Sequence, residues 1–166
     1  MQENNLQNLV QTLDTMSELE KTIGEFYREC AGFFRFDSAF WMSLSQDEAL
    51  HSGALAKLSQ MVRRKPSEYE PGKLSSGSAL RTFISRIHSD HDRLKNGTLT
   101  MYTALLTAYH LETTMIEFGY ADVVKTTNPK CIEALEKLST ASVQHRDKIK
   151  EKMKVYRKDP RVSRAR

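Results

Sequence analysis

Residues 41–62 read WMSLSQDEALHSGALAKLSQMV. Trp41, Leu44, Leu55, Leu58 and Val62 fall on one track of alternating three- and four-residue steps, the apolar seam of an amphipathic helix. The same steps pass through Glu48 and His51, at the middle of the track. An acid and an imidazole three residues apart point into one space. A helix that turns them toward its own core must neutralise them there.

Helical signals continue on either side. Upstream, Leu6, Leu9, Leu13, Met16, Glu20, Ile23, Tyr27, Cys30 and Phe34 share one seam, so a first long helix is predicted from about Asn5 to Phe34. Asp37 or Ser38 is the predicted N-cap of the second, which ends near Arg64, before Pro66. Lys65 to Gly77 is rich in breakers and reads as a loop, followed by a shorter connector helix from Ser78 to Leu94. After Asn96-Gly97, Thr98 is the predicted cap of a third long helix reaching about Lys125, with the seam Met101, Leu105, Ala108, Glu112, Met115 and Gly119. Asn128-Pro129 opens a fourth, to about Tyr156, with the seam Leu135, Leu138, Ser142, His145 and Ile149.

The links between helices one and two and between three and four are short, so each pair should form an antiparallel hairpin. The connection between hairpins is long and carries the extra helix. The expected fold is therefore all-α: a ferritin-like four-helix bundle with one long crossover containing an extra helix. Residues 1–156 form the bundle, and residues 157–166 a basic tail.

Composition agrees. With 166 residues there is room for one domain with a substantial core. Seven glycines and four prolines are too few for the many turns of a β fold. No stretch approaches the roughly 20 apolar residues of a membrane span. The opening Met-Gln-Glu-Asn-Asn-Leu-Gln lacks the basic end and apolar block of a signal peptide, so a cytoplasmic protein is expected. Cys30 and Cys131, with no Cys-x-x-Cys present, are expected to be reduced and partly buried. The net charge of +4 is concentrated toward the end, from Lys152 to Arg166. A basic end is ordinarily solvated, and neither nucleic acid nor a membrane is the expected partner.

Every long helix thus carries an acid, a histidine or both at the centre of its buried face: Glu20, Glu48 with His51, Glu112, and His145. A carboxylate in a dry core costs several kcal/mol unless something pairs with it. These seams offer no Arg or Lys near the acids, and a divalent cation that accepts both carboxylate and imidazole is the economical alternative. Helical rise puts Glu20 and His51 at roughly 20–22 Å from the first hairpin turn, and Glu112 and Ser142 at roughly 18–20 Å from the second. Within each hairpin the polar groups are level. His88, Asp90, His91 and Asp92 also crowd together, but one helical turn cannot make them converge, and they read as a polar face.

These residues resemble the rubrerythrin branch of the ferritin-like di-iron proteins. Glu20 with Tyr27 in EKTIGEFY looks like that family's first helix, and Asp47-Glu48-Ala49-Leu50-His51 like its second. Tyr109-His110-Leu111-Glu112, followed by Ile116-Glu117-Phe118-Gly119-Tyr120, is similar to its third. In the fourth, Ser142-Val143-Gln144-His145 keeps the histidine and lacks the glutamate, and Met115 stands where an additional carboxylate is common. The family's rubredoxin module has no counterpart, since there is no Cys-x-x-Cys.

The resemblance implies iron, two atoms or one, with Glu20, Glu48 and Glu112 as oxygen ligands and His51 and His145 as nitrogen ligands. Tyr27 and Tyr109 would be hydrogen-bond donors behind them, or plain core tyrosines. With three carboxylates instead of four, two ferrous ions retain about one more positive charge, to be balanced by hydroxide, an exogenous anion or an empty second position. The implied activity is oxidation of reduced iron by peroxide or oxygen, with a separate electron-donor protein and a homodimeric state. Two rival readings stay open: a bundle without catalysis that acts through protein interaction, and iron storage or DNA protection in the manner of mini-ferritins. The first would use the basic tail or the aromatic corner formed by Phe33, Phe34, Phe36, Phe40, Trp41 and Met42.

Overall fold

α1 (Gln2–Phe33) and α2 (Ser38–Arg64) are joined by a single 3-10 turn, Arg35–Asp37, and run antiparallel. Their pairing follows from cross-helix bonds that descend one chain as they climb the other. Ser45 donates to the Gly24 carbonyl at 2.7 Å, Ser17 to the Ser52 carbonyl at 2.9 Å, and Ser59 to Asp14 at 2.5 Å. The computed structural model describes residues 2–73 and 77–158. Among these the fold is all-α, with three further helices: α3 (Gly77–Lys95), α4 (Met101–Phe118) and α5 (Pro129–Lys158). α4 packs on α5, α3 lies along α1, and α2 meets α5.

Close approach of α1 and α2 depends on Gly24. A methyl group there would stand 3.0 Å from the Glu48 Cβ and 3.3 Å from the Ser45 carbonyl oxygen. The missing side chain lets α1 settle against α2 one turn from Glu20, which brings two acid-bearing turns together.

The third long helix is shorter than its sequence pattern predicts. α4 stops at Phe118, not near Lys125, because Gly119 takes a left-handed conformation (φ 67°) that closes the last turn. The chain then makes a 3-10 turn, Tyr120–Asp122, and a two-residue strand. That strand, β2 (Val124–Lys125), pairs antiparallel with β1 (Glu70–Pro71), Glu70 opposite Lys125 and Pro71 opposite Val124. Within the predicted loop after α2, Pro66–Glu68 is thus a 3-10 turn and Glu70–Pro71 a strand. The start of α4 also differs: Thr100, not Thr98, is the cap, in a reciprocal capping box with Thr103. Thr98 instead bonds its hydroxyl to the Arg93 carbonyl at 3.0 Å.

Asn128 behaves as predicted, its Oδ1 accepting from the Lys130 amide at 3.1 Å at the entry to α5. Asp37 occupies the N-cap position of α2, but its carboxylate turns away, bonded by the Tyr156 hydroxyl and paired with Lys152. It clamps the α1–α2 turn to the far end of α5. Arg157 and Lys158, expected to open the basic tail, continue α5, and residues 159–166 lie outside the described residues.

The seams read from sequence form the core. Leu9, Leu13, Met16, Ile23, Tyr27, Cys30, Trp41, Leu44, Leu55 and Leu58 are buried, joined by Leu105, Ala108, Met115, Leu135, Leu138 and Ile149. Each such large apolar side chain contributes about 1.5–3 kcal/mol relative to exposure. Gly119, placed on the third seam, is instead the helix terminator. Cys30 and Cys131 are free and buried. Of the aromatic corner, Trp41 and Phe34 are core and Phe36 is exposed. No described helix is long and apolar enough to cross a membrane.

Candidate metal centre

At the middle of this core the apolar packing is interrupted. Glu20 and Glu48 are 1% exposed, Glu112 and His145 2%, and His51 9%. All five residues singled out in the sequence are therefore buried, and Ser142 with them.

The tightest grouping is Glu48, His51 and His145, whose candidate ligand atoms all lie within 4.8 Å of one another. Glu48 stands between the two imidazoles. Its Oε2 is 2.8 Å from His51 Nδ1, one helical turn on, and its Oε1 is 2.7 Å from His145 Nδ1, across from α5. The two rings stack at 5.4 Å between centres and 26° between planes. Glu112 is placed beside this group, its Oε1 3.6 Å from His145 Nδ1 and accepting the Tyr27 hydroxyl at 2.8 Å. Glu20 interacts with Glu48 and Glu112, and its Oε1 has no hydrogen-bond partner.

Electrostatics separate the three acids. Burial, then the neighbouring Glu48 and Glu112 charges, holds Glu20 well above the usual carboxylate range. Glu112 is raised by burial and by Glu48 to about 7, against the pull of His145 and Tyr27. Glu48 goes the other way: burial would raise it, but hydrogen bonds from His145 and His51 prevail and lower it. Burial likewise disfavours charge on His145, and the Glu112 and Glu48 carboxylates overcome this, holding it up at about 10. The cluster thus sets one acid that hydrogen bonds favour as the carboxylate, Glu48, beside two that burial favours in the protonated form, Glu20 and Glu112.

Two residues that position this cluster had no assigned part in the sequence reading. Asp47, 39% exposed on its side chain, lies 3.1 Å from His145 Nε2 and so fixes which ring nitrogen faces Glu48. Its signal was its place beside Glu48, one step toward the neighbouring helix. Gly24 is the other. Its signal was weaker, a glycine inside a strongly periodic helix, one turn after an acid. Tyr109 lines a groove between α3 and α4 with Phe83, Arg86 and Ile87. His91, from the polar run on α3, is buried and pairs with Glu29 on α1 at 3.0 Å.

The donor set fits a first-row divalent cation. Two imidazoles and a carboxylate whose ligand atoms all lie within 4.8 Å of one another are the ligand types that iron, zinc and cobalt accept. The unpartnered Glu20 oxygen is a further oxygen donor beside this group. No family model, curated protein or solved structure matches the chain.

Proposed function

We propose that the chain is a ferritin-like four-helix bundle of the rubrerythrin kind, which binds iron between its helices and works as a non-haem di-iron oxidoreductase on peroxide or oxygen. The carrying observation is the convergence of Glu48, His51 and His145 in a buried group beside an acid with an unpartnered oxygen. Iron bound there supplies electrons for reducing an O–O bond. The chain's own residues define the rest. Glu48, His51 and His145 hold the metal, with Glu20 and Glu112 as additional oxygen donors. Tyr27 orients Glu112, and Asp47 orients His145. All five of these donor side chains are buried, which keeps their charges strongly felt. Electrons would come from a separate protein, and a homodimer remains the proposed assembly.

The test is metal analysis of protein produced with iron, alongside the His51→Ala variant. Stoichiometric iron that disappears in His51→Ala supports the reading, and oxidation of the reduced protein by peroxide would then establish an enzyme. Background metal in both proteins would remove it. One observation favours a second reading, a bundle without catalysis that acts through protein contacts. Glu48 already receives hydrogen bonds from both histidines, so the core closes without a cation.

A further inference from the structure

We propose that the centre offers two metal positions of unequal strength: a tight one held by Glu48, His51 and His145, and a weak one that depends on Glu20 and Glu112 and lacks a ligand where Ser142 stands. This rests on the metal-binding reading above and adds to it the order of filling.

The tight position is preassembled. The two imidazole nitrogens approach opposite oxygens of one carboxylate, at 2.8 Å for His51 and 2.7 Å for His145, so a cation would replace hydrogen bonds among donors already gathered. His145 is further fixed by Asp47, and His51 by its own helical turn from Glu48. Little side-chain freedom is left to lose on binding, which favours affinity.

The remaining donors, Glu20 and Glu112, are poorer in kind and number. They offer oxygen and no imidazole, and first-row divalent ions are held less well by so sparse a set. Glu112 is shared, leaning toward His145 and held by Tyr27. Glu20 alone has an oxygen without a partner. Ser142, three residues before His145 on α5, is buried on the same side of that helix. Its hydroxyl is neutral, and its reach falls short of a glutamate's by one methylene and the carboxyl carbon. A second cation there would meet the charge of the first with one anion fewer to offset it.

The experiment is titration of the full, metal-free chain with Co(II), reading bound metal by equilibrium dialysis and ligand type by visible absorption. The expected result is one cobalt per chain in a tight step with nitrogen-ligand absorption, and a second step weaker by roughly tenfold or more. Glu20→Gln should abolish only the weak step, and Ser142→Glu should tighten it. His51→Ala and the milder His145→Gln should each remove the tight step, with circular dichroism confirming that at least one remains folded. Two steps of equal affinity, or a tight step lost in Glu20→Gln and kept in both histidine variants, would overturn the inference while leaving metal binding intact. No cobalt uptake by the parent chain would overturn both.

Discussion

The Tyr27 hydroxyl on α1 donates to Glu112 on α4 at 2.8 Å, a buried bond that crosses from one helical hairpin to the other. Both partners are closed off from water. Replacing Tyr27 with Phe therefore leaves a buried carboxyl without its donor, at a cost of about 1–3 kcal/mol. Urea denaturation of the metal-free Tyr27→Phe variant should show that loss. Unchanged stability would mean that the bond is not made in solution.

The pH dependence of the metal-free chain should be unusual. His145 is raised from 6.5 to about 10, so its contribution is complete below pH 6.5 and lost as pH rises through 10. Glu112 is raised from 4.5 to about 7, so the fold binds its proton more tightly than the unfolded chain does, and stability falls between pH 4.5 and 7. Glu48 is lowered and contributes stability that fades only in acid. Denaturation midpoints with a chelator present should peak in mild acid and decline toward pH 9, by up to about 1.4 kcal/mol per pH unit for each proton. Bound metal competes with these protons and should flatten or reverse the decline. A chelated protein that gains stability from pH 6 to 9 would contradict the arrangement.

Two glycine substitutions should have opposite signs. Alanine is worth about 1 kcal/mol over glycine inside a helix. At Gly53 a methyl group meets nothing within 4 Å, so Gly53→Ala should raise the melting temperature. At Gly24 the methyl must push on the Glu48 Cβ, 3.0 Å away, and on backbone. Gly24→Ala should lower the melting temperature and weaken metal binding, since Glu48 is the residue displaced. Thermal melts of the pair, with equal gains, would remove the claim that Gly24 sets the helix spacing.

Asp47→Asn should keep the fold and cost roughly tenfold in metal affinity, because His145 loses the charged partner that fixes its ring. Competition with a chromophoric chelator measures this directly. The partly exposed Asp47 has little packing to lose, so a large drop in melting temperature would point to some other role.

The sequence made the seams readable because a three-to-four period survives wherever one face of a helix is buried, and Glu20, Glu48, His51, Glu112 and His145 all lie where that period puts them. It also made Asn128 readable, whose cap is a local matter of three residues. The end of α4 was less so: the apolar pattern runs on through Val123 and Val124, which are buried, but as a turn and a strand instead of helix. Burial alone does not distinguish those forms. The pairing of Glu70 with Lys125 depends on residues distant in the chain, and two-residue strands carry no period to detect. The roles of Asp47 and Gly24 depend on which helix lies opposite, which spacing along one helix does not encode.

Asp37 ties the α1–α2 turn to Tyr156 and Lys152, while β1 and β2 join the chain after α2 to the entry of α5. These two fastenings sit near opposite ends of α5, about 40 Å apart at helical rise, with the acid and histidine cluster between them. Helices pinned at one level can pivot there; pinned at both ends, they cannot slip lengthwise past each other. The depth at which His145 faces Glu48 is thus set by anchors far from either residue, much as a bridge span is located by its abutments.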